Sequence, residues 1–216
     1  MEKSGICYIV GAGECSGINF LKRENDFVIA ADGGLRYLEA AGVIPDLLLG
    51  DFDSLGYRPQ GTVLTYPKEK DETDTFLALR YAAANGYRTV RIFGGMGGRI
   101  DHTLANIQML VWAARRGMDV RLCDGTTELM ALCDGELSFP AECAGRISVF
   151  SMDNTAEGVD LLGLKYVLEN GSLTNEFALG VSNEFIGCKS TVRVRCGTLL
   201  LVTETQPTAD MQKAQA

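Results

Sequence analysis

The chain has 216 residues, of which 46% are apolar and 22% are charged, and its formal net charge is −8. This composition is typical of a globular protein, and no apolar run approaches the roughly 18 to 20 residues that span a bilayer, which argues against a membrane protein. The negative charge argues against a broad interface with nucleic-acid phosphates. A local acidic site for a metal ion remains compatible with it.

The N-terminal segment MEKSGICYIVGAG predicts a first strand, because its short apolar run ends in glycines and lacks the long apolar region and cleavage site of a signal peptide. The seven cysteines form no C-x-x-C pair, and His102 is the only histidine. These features favour neither a zinc site nor a disulfide framework. They predict reduced thiols in a cytoplasmic protein.

Up to about residue 125, short apolar runs alternate with segments of helical periodicity. The runs predict strands over 7–10, 27–31, 47–49, 62–66, 89–93 and 120–123. The periodic segments predict helices over 35–42, 73–86 and 101–117, and Gly86 and Gly117 are placed to end the last two. Because these strands alternate with helices and are apolar on both faces, we expect a Rossmann-like, mostly parallel sheet covered by helices.

From about residue 127 the helical period disappears, and short apolar runs such as ELMALC and RISVFSM are separated by Gly, Asn and Asp. The segment TVRVRCGTLLLV predicts a hairpin with its turn near Cys196 and Gly197. We therefore expect three parts: an α/β domain over 1–125, a smaller all-β sandwich domain over 126–206, and a disordered tail over 207–216.

Glycines and aspartates follow five of the predicted strands, in the stretches GAGE, DGG, GDFDS, PKEKDETD and GGMGGRIDH. In an open parallel sheet the carboxyl ends of the strands meet at one edge, where ligands bind. Glycines at that edge let backbone N–H groups approach a phosphate closely. The joint placement of these stretches predicts one binding site assembled from ninety residues of sequence.

The aspartates of these stretches would repel one another if no cation were present, by about 4 kcal/mol for a pair 4 Å apart at an effective dielectric constant near 20. Hard carboxylate oxygens suit magnesium, which typically takes one or two carboxylates together with substrate phosphates. The sequence therefore predicts a magnesium nucleotide site. Its candidate carboxylates are Asp32, Asp51, Asp53, Asp71, Asp74 and Asp101.

Each motif also has a structural explanation. A single D-x-D pair can cap a turn, and Asp74 and Asp101 fall near predicted helix starts, where N-capping is common. GAGE lacks the spacing of a dinucleotide fingerprint. His102 beside Asp101 could be a general base, although a hydrogen bond at a helix start is the more ordinary role. Lys68 and Lys70 could belong to a solvated charge run.

Six motifs in order, ADGGLRYL, GDFDSL, KDETDTFLAL, GGRIDHTLANI, GLKYVLEN and GVSNEF, resemble those of the thiamin pyrophosphokinase family and cover residues 31 to 186. The resemblance implies a nucleotide-binding α/β domain followed by a β-sandwich. It implies a homodimer that holds thiamin between the α/β domain of one subunit and the β domain of the other. The implied reaction transfers the pyrophosphoryl group of ATP to the thiamin hydroxyl, giving thiamin diphosphate and AMP.

The resemblance also implies roles for single residues. Asp51, Asp53 and Asp74 match the magnesium-binding positions, Asp32 lies near the reacting phosphates, and Arg99 and Asp101 match the pair at the nucleotide. Ser182 and Asn183 match the contacts to the aminopyrimidine ring, and Tyr166 falls where an aromatic ring stacks on thiamin. Val167 departs from the pattern, because many bacterial relatives have proline there.

We accordingly expect catalysis to depend on Asp32, Asp51, Asp53, Asp74 and Asp101, with Asp32 or Asp101 as the proton acceptor. The residues expected to contact ATP are Gly11, Gly13, Gly33, Gly34, Lys70, Asp71, Thr73, Gly95, Arg99 and His102. Two other functions fit parts of the pattern. One is a phosphatase that is phosphorylated on Asp51, and the other is a sensor that binds nucleotide or thiamin without turnover.

Overall fold

The computed structural model describes residues 2–50, 62–64 and 72–205. The chain divides into two compact units, the first formed by Met1–Met109 with Met118–Gly125 and the second by Leu110–Gly117 with Thr126–Ala216. Several residues of the sequence predictions lie outside the described residues. They are Asp51, Asp53, Lys68, Lys70, Asp71 and the tail after Thr205.

The strands and helices predicted up to residue 125 are present. The strands are β1 (Lys3–Val10), β2 (Phe27–Ala31), β3 (Leu47–Leu49), β4 (Val63–Leu64), β5 (Tyr87–Phe93) and β6 (Asp119–Asp124). The helices are α1 (Leu35–Ala40), α2 (Asp74–Ala84) and α3 (Ile100–Ala114), and a 3-10 turn over Asp32–Gly34 joins β2 to α1. β1 starts earlier than its apolar run, at Lys3, and α3 stops earlier than predicted.

The strands of the first unit form a parallel sheet in the order β6-β5-β1-β2-β3-β4. Every adjacent pair for which a register is defined is parallel, which confirms the predicted direction. Its strands carry fully buried apolar side chains, among them Ile9, Ile29, Leu48 and Ile92. The strand order reverses at β1, since β2 lies on one side of it and β5 on the other. Ligands bind at such a switch point, beyond the carboxyl ends of the strands.

The helix ends follow local chemistry. Thr73 is the N-cap of α2, because its Oγ1 accepts the N–H of Phe76 at 3.2 Å. Gly86 and Gly117 follow α2 and α3 with φ of 87° and 67°, the left-handed conformation that glycine adopts without strain. The predicted glycine stops are thus confirmed. Within the described ranges, no helix combines the length and apolar character needed to cross a membrane.

The second unit consists mainly of strands. They are β7 (Thr127–Cys133), β8 (Glu136–Phe139), β9 (Gly145–Ser151), β10 (Thr155–Leu162), β11 (Leu168–Thr174), β12 (Gly180–Glu184), β13 (Ser190–Cys196) and β14 (Thr198–Thr205). Antiparallel pairs give the orders β12-β9-β14-β7 and β11-β10-β13-β8. Ile147 and Leu199 of the first sheet share one apolar core with Val159 and Val192 of the second.

The predicted hairpin around Cys196 and Gly197 is wrong. β13 pairs with β8 and β10, whereas β14 pairs with β7 and β9, so the two strands belong to different sheets. Only Gly197 separates them, and the tightest common hairpin needs two loop residues. Gly197 instead turns the chain from one sheet to the other with φ of 119°, and its N–H donates to Asp134 Oδ1 at 2.8 Å.

Candidate functional site

A cleft of about 640 Å³ lies in the first unit, at the carboxyl ends of β1, β2 and β5 and the starts of α2 and α3. It brings together seven of the residues predicted from sequence. They are Gly13, Asp32, Thr73, Asp74, Gly95, Arg99 and His102. Four other predicted residues, Gly11, Gly33, Gly34 and Asp101, are not among the described residues that line it.

Three glycines allow the ends of β1 and β5 to touch. The N–H of Gly11 donates to Phe93 O at 2.7 Å, and the N–H of Gly13 donates to Gly94 O at 2.9 Å. A Cβ on Gly13 would lie 2.6 Å from that same oxygen, and Gly94 has a φ of 62°. The N–H groups of Gly11 and Gly13 are therefore engaged within the protein, and these glycines shape the cleft by close packing.

The turn after β2 is similarly tight. A Cβ on Gly34 would lie 1.9 Å from Val10 O, which excludes any side chain there. Asp32, the first residue of the turn, has a φ of 48°, and a Cβ on Gly50 would lie 3.0 Å from its Cα. A left-handed conformation costs an L-residue about 1–2 kcal/mol, although aspartate tolerates it better than most. The fold thus accepts strain at Asp32, and such strain is common at binding sites.

Asp74 is the first helical residue of α2, and Thr73 supplies the cap in its place. The capping explanation considered for Asp74 therefore does not hold. A carboxylate in the first turn of a helix is favoured by the positive end of the helix dipole. Because Asp74 also lines the cleft, this dipole helps to keep a negative group at the site.

Arg99 and Asp101 form a two-pronged ion pair at the start of α3. Arg99 Nη2 lies 2.5 Å from Asp101 Oδ2, and Nε lies 3.2 Å from Oδ1. The side chains are 69% and 65% exposed. The hydrogen bond from Arg99 lowers the pKa of Asp101 from its ordinary value and raises that of Arg99. Asp101 therefore holds a proton poorly, which weakens it as a general base.

Asn106 and Glu14 are two of the cleft residues that were not predicted as site residues. Asn106 is buried, and its Nδ2 donates to Gly95 O at 2.7 Å. Its position one turn after His102 on the predicted helix was the available signal. Glu14, in the stretch GAGE, packs so closely on the next loop that a Cβ on Gly97 would lie 2.9 Å from its Oε2.

Carboxylates predominate in the cleft. The acidic side chains that line it are Glu14, Asp32, Glu72 and Asp74, whereas Arg99 is the one Lys or Arg that the described lining contains. Their oxygens are the hard donors that magnesium prefers. Among the described residues, no group of three His, Cys, Asp or Glu side chains is close enough to hold a metal. Two members of the predicted triad, Asp51 and Asp53, are outside those residues.

The second unit has a smaller pocket, of about 140 Å³, whose lining includes Tyr166, Val167 and Asn183. Tyr166 is 60% exposed, and Lys165 lies over its ring with Nζ 5.6 Å from the centroid. Ser182 is exposed, has a φ of 58°, and is not part of the described lining. The pocket therefore brings two of the three predicted thiamin contacts together.

Asn183 holds the backbone of Tyr166 on both sides. Asn183 Oδ1 accepts the N–H of Tyr166 at 2.9 Å, and Nδ2 donates to Tyr166 O at 2.7 Å. The same Oδ1 accepts the N–H of Glu184 at 2.9 Å. With the residue 2% exposed, this amide is largely committed to the protein. The sequence motif did not reveal this positioning role.

The parallel α/β unit carries an acidic, glycine-shaped cleft, and the second, mainly β unit carries an apolar pocket. Comparison with known proteins gives the class, a transferase of the kinase type. The chain belongs to the thiamin pyrophosphokinase family. Residues 19–122 match the family model "Thiamin pyrophosphokinase, catalytic domain", and residues 136–201 match "Thiamin pyrophosphokinase, vitamin B1 binding domain".

A relative and a crystal structure from the same species support this assignment. Thiamine pyrophosphokinase from Bacillus subtilis (strain 168) is 32% identical over 190 residues, which cover 84% of this chain and 89% of the relative. A crystal structure of the enzyme from that species has a TM-score of 0.84 at 31% identity and covers 94% of this chain and 100% of its own. Thiamin pyrophosphokinase from Candida albicans, at 16% identity and a TM-score of 0.77 over 93% of this chain and 89% of its own, shows the fold alone.

Proposed function

We propose that this chain transfers the pyrophosphoryl group of ATP to the hydroxyl of thiamin, giving thiamin diphosphate and AMP. The observation that carries the proposal is the convergence of Asp32, Asp74 and Arg99 in one cleft at the switch point of the sheet. Membership of the thiamin pyrophosphokinase family supports both the reaction and its two substrates.

Phosphoryl chemistry of this kind needs an in-line approach of the alcohol and neutralised phosphate charge, with little covalent help from the protein. In our proposal the glycine-shaped ends of β1 and β5 leave room for the phosphates, and Arg99 faces their negative charge. The remaining proposed ATP contacts are Gly11, Gly13, Gly33, Gly34, Lys70, Asp71, Thr73, Gly95 and His102. Those at 70 and 71 lie outside the described residues.

We propose Asp51, Asp53 and Asp74 as the residues that hold Mg²⁺. The carboxylates lining the cleft suit this ion, and Asp74 stands at its wall. When bound, magnesium would offset phosphate charge and orient the phosphate that is attacked. Asp51 and Asp53 lie outside the described residues, so the structural support for this assignment comes from the position of Asp74 in the cleft.

The proton of the thiamin hydroxyl needs an acceptor, for which the sequence left Asp32 and Asp101 open. Arg99 lowers the pKa of Asp101. Asp101 is also exposed, and it is not among the described residues that line the cleft. Asp32 lines the cleft and is held in place by a tight turn. These contrasts favour Asp32 as the acceptor.

Thiamin binding is proposed at Tyr166, Ser182 and Asn183. An exposed tyrosine ring beside a small apolar pocket suits the cationic thiazolium, which binds aromatic faces. Because most of the Asn183 amide is engaged with backbone, we assign it mainly to holding Tyr166. Val167 takes part in the same pocket wall despite its departure from the family pattern.

We further propose a homodimer in which thiamin lies between the α/β domain of one subunit and the β-sandwich domain of its partner. Exposed apolar side chains in the second unit support a subunit contact. They are Tyr166, Val167, Phe177, Leu179, Val181 and Ile186. The domain limits 1–125 and 126–206, the Rossmann-like and sandwich descriptions and a disordered tail belong to this proposal. So does a cytoplasmic location, which is consistent with the finding that none of the seven cysteines forms a disulfide in the described residues.

The reaction is tested by incubating the protein with ATP, magnesium and thiamin and identifying the products by chromatography. Thiamin diphosphate and AMP in equal amounts are expected. ADP as the nucleotide product, or phosphate released without thiamin, would refute the proposal and favour the phosphatase. Tight binding of both substrates without turnover would favour the sensor.

A further inference from the structure

Asn106 occupies a position on α3 where an apolar residue is expected. The buried residues of this helix, Met109, Leu110 and Ala113, lie three, four and seven positions after it and define one stripe. Asn106 extends that stripe and is only 5% exposed. A buried amide is unfavourable unless its polar atoms find partners, so its presence calls for a partner for each end.

One end of the amide has its partner. Asn106 Nδ2 lies 2.7 Å from Gly95 O, and this contact decides the orientation of the amide, because a carbonyl oxygen only accepts hydrogen bonds. The other polar atom of the amide is therefore Oδ1, which is a hydrogen-bond acceptor. Within residues 2–50, 62–64 and 72–205, no donor is bonded to this oxygen, and Asn106 is part of the cleft wall.

We propose that Asn106 Oδ1 accepts a hydrogen bond from the nucleoside half of the bound nucleotide, from a ribose hydroxyl or the amino group of the base. The inference rests on the proposed function, which places a nucleotide in this cleft. The ligand group must be a donor, and ionised phosphate oxygens only accept hydrogen bonds at neutral pH. Ribose hydroxyls and the base amino group are the neutral donors of ATP.

The contact makes Asn106 a specificity-determining residue. A site built around a hydrogen bond rejects an analogue that lacks the matching group, because a buried polar atom is then left without a partner. The test measures binding by isothermal titration calorimetry, with magnesium and without thiamin. The ligands are ATP, 2′-deoxy-ATP, 3′-deoxy-ATP and purine riboside triphosphate, which lacks the amino group.

The wild-type protein is expected to bind one analogue roughly 5- to 20-fold more weakly than ATP, which identifies the donor. Asn106→Leu keeps the volume and the apolar stripe, and it should bind ATP and that analogue equally. Asn106→Asp loses the contact to Gly95 O but keeps an acceptor oxygen, so it should retain the discrimination. If Asn106 only held Gly95 in place, Asn106→Leu and Asn106→Asp should weaken nucleotide binding to a similar extent.

Gln108→Ala, on the exposed side of α3, is the matched control and should keep the wild-type ratios. Thermal unfolding checks that the variants fold, and if Asn106→Leu does not, the wild-type series and Asn106→Asp decide. Equal affinity of the wild type for all four nucleotides, or an unchanged ratio in Asn106→Leu, would overturn the inference. If Asn106→Leu changes the magnesium dependence of ATP binding but not the affinity ratios of ATP to its analogues, Oδ1 would bind a metal-bound water. That result would also overturn the inference.

Different results would refute the proposed enzymatic function and the proposed role of Asn106. If the wild-type protein makes thiamin diphosphate and binds all three analogues as tightly as ATP, the proposed function stands and the proposed role of Asn106 is refuted. A wild-type protein that neither binds ATP nor makes thiamin diphosphate removes both.

Discussion

The side-chain amide of Asn183 binds the backbone of Tyr166 through both of its polar ends, at 2.9 Å to the N–H and 2.7 Å to the carbonyl. The contact joins β12 to the segment before β11, seventeen residues earlier in the chain. It fixes the backbone that carries an exposed aromatic ring at the pocket of the second unit. The backbone of Tyr166 is therefore fixed, whereas its ring is 60% exposed with Lys165 Nζ 5.6 Å from the centroid.

Asn183→Ala should lower the free energy of unfolding by about 1–3 kcal/mol, because partly buried backbone groups lose their partners. It should also raise the KM for thiamin more than that for ATP, since the loss is local to Tyr166. Urea denaturation and steady-state kinetics measure the two effects. Asn183→Asp keeps the acceptor and should be affected less. Asn175→Ala, at an exposed asparagine, is the control, and a loss of stability no larger than its own would contradict the role of Asn183.

Tyr166→Ala should raise the KM for thiamin roughly 2- to 30-fold, the range expected for losing a cation–π contact worth about 0.5–2 kcal/mol. The KM for ATP should change little. Tyr166→Phe keeps the ring and should stay near the wild type. Equal increases in both Michaelis constants would count against stacking on thiamin.

Asp51→Asn, Asp53→Asn and Asp74→Asn should each lower kcat by at least about 100-fold, since each removes negative charge from the proposed magnesium site. The fold should persist, and for Asp74 this follows from the capping of α2 by Thr73. Circular dichroism and a magnesium titration of the rate provide the measurements. Glu169→Gln, at an exposed carboxylate in β11, should be neutral. Near-wild-type turnover in one of the three variants would remove that residue from the metal site.

Asp119 should contribute stability that disappears in acid. Its partial burial acts to raise the pKa, but the hydrogen bond from Arg91 and the charges of Arg91 and Arg121 outweigh this and lower the pKa from its ordinary value. The contribution is therefore complete above the unfolded value and is lost as the pH falls through the lower, folded value.

Asp119→Asn should reduce the free energy of unfolding by no more than about 1 kcal/mol at pH 7, because the side chain is 48% exposed and solvent screens the pair. Urea denaturation at several pH values from 7 down to about 2 should show the difference between variant and wild type shrinking. A difference that stays constant over this range would mean that the charge of Asp119 is not the cause.

Much of the first unit could be predicted because its signals are local. A strand buried on both faces is a short apolar run, and a helix shows its period within a few turns, so β1, β2, β3, β5 and β6 followed from the order of residues. The rule that parallel strands end at one edge then placed Asp32 and Asp74 together without knowledge of any distance.

The errors and omissions concern partners that are distant in sequence. The alternation in β13 and β14 predicted two strands but did not specify their neighbours, and Gly197 proved to be a corner between sheets. Asn106 looked like one polar residue of a helix, because its partner, Gly95 O, comes from the preceding loop.

The sequence by itself determined the family, the alternating strands and helices of the first unit, and the residue types available for binding phosphate, magnesium and thiamin. These properties depend on composition, local periodicity and motif order, which the chain carries in one dimension. Only the tertiary structure decided that Thr73 and not Asp74 caps α2, that Arg99 is paired with Asp101, and that Asn183 holds Tyr166. Hydrogen bonds and ion pairs require particular distances and directions, and those are set by how the elements pack.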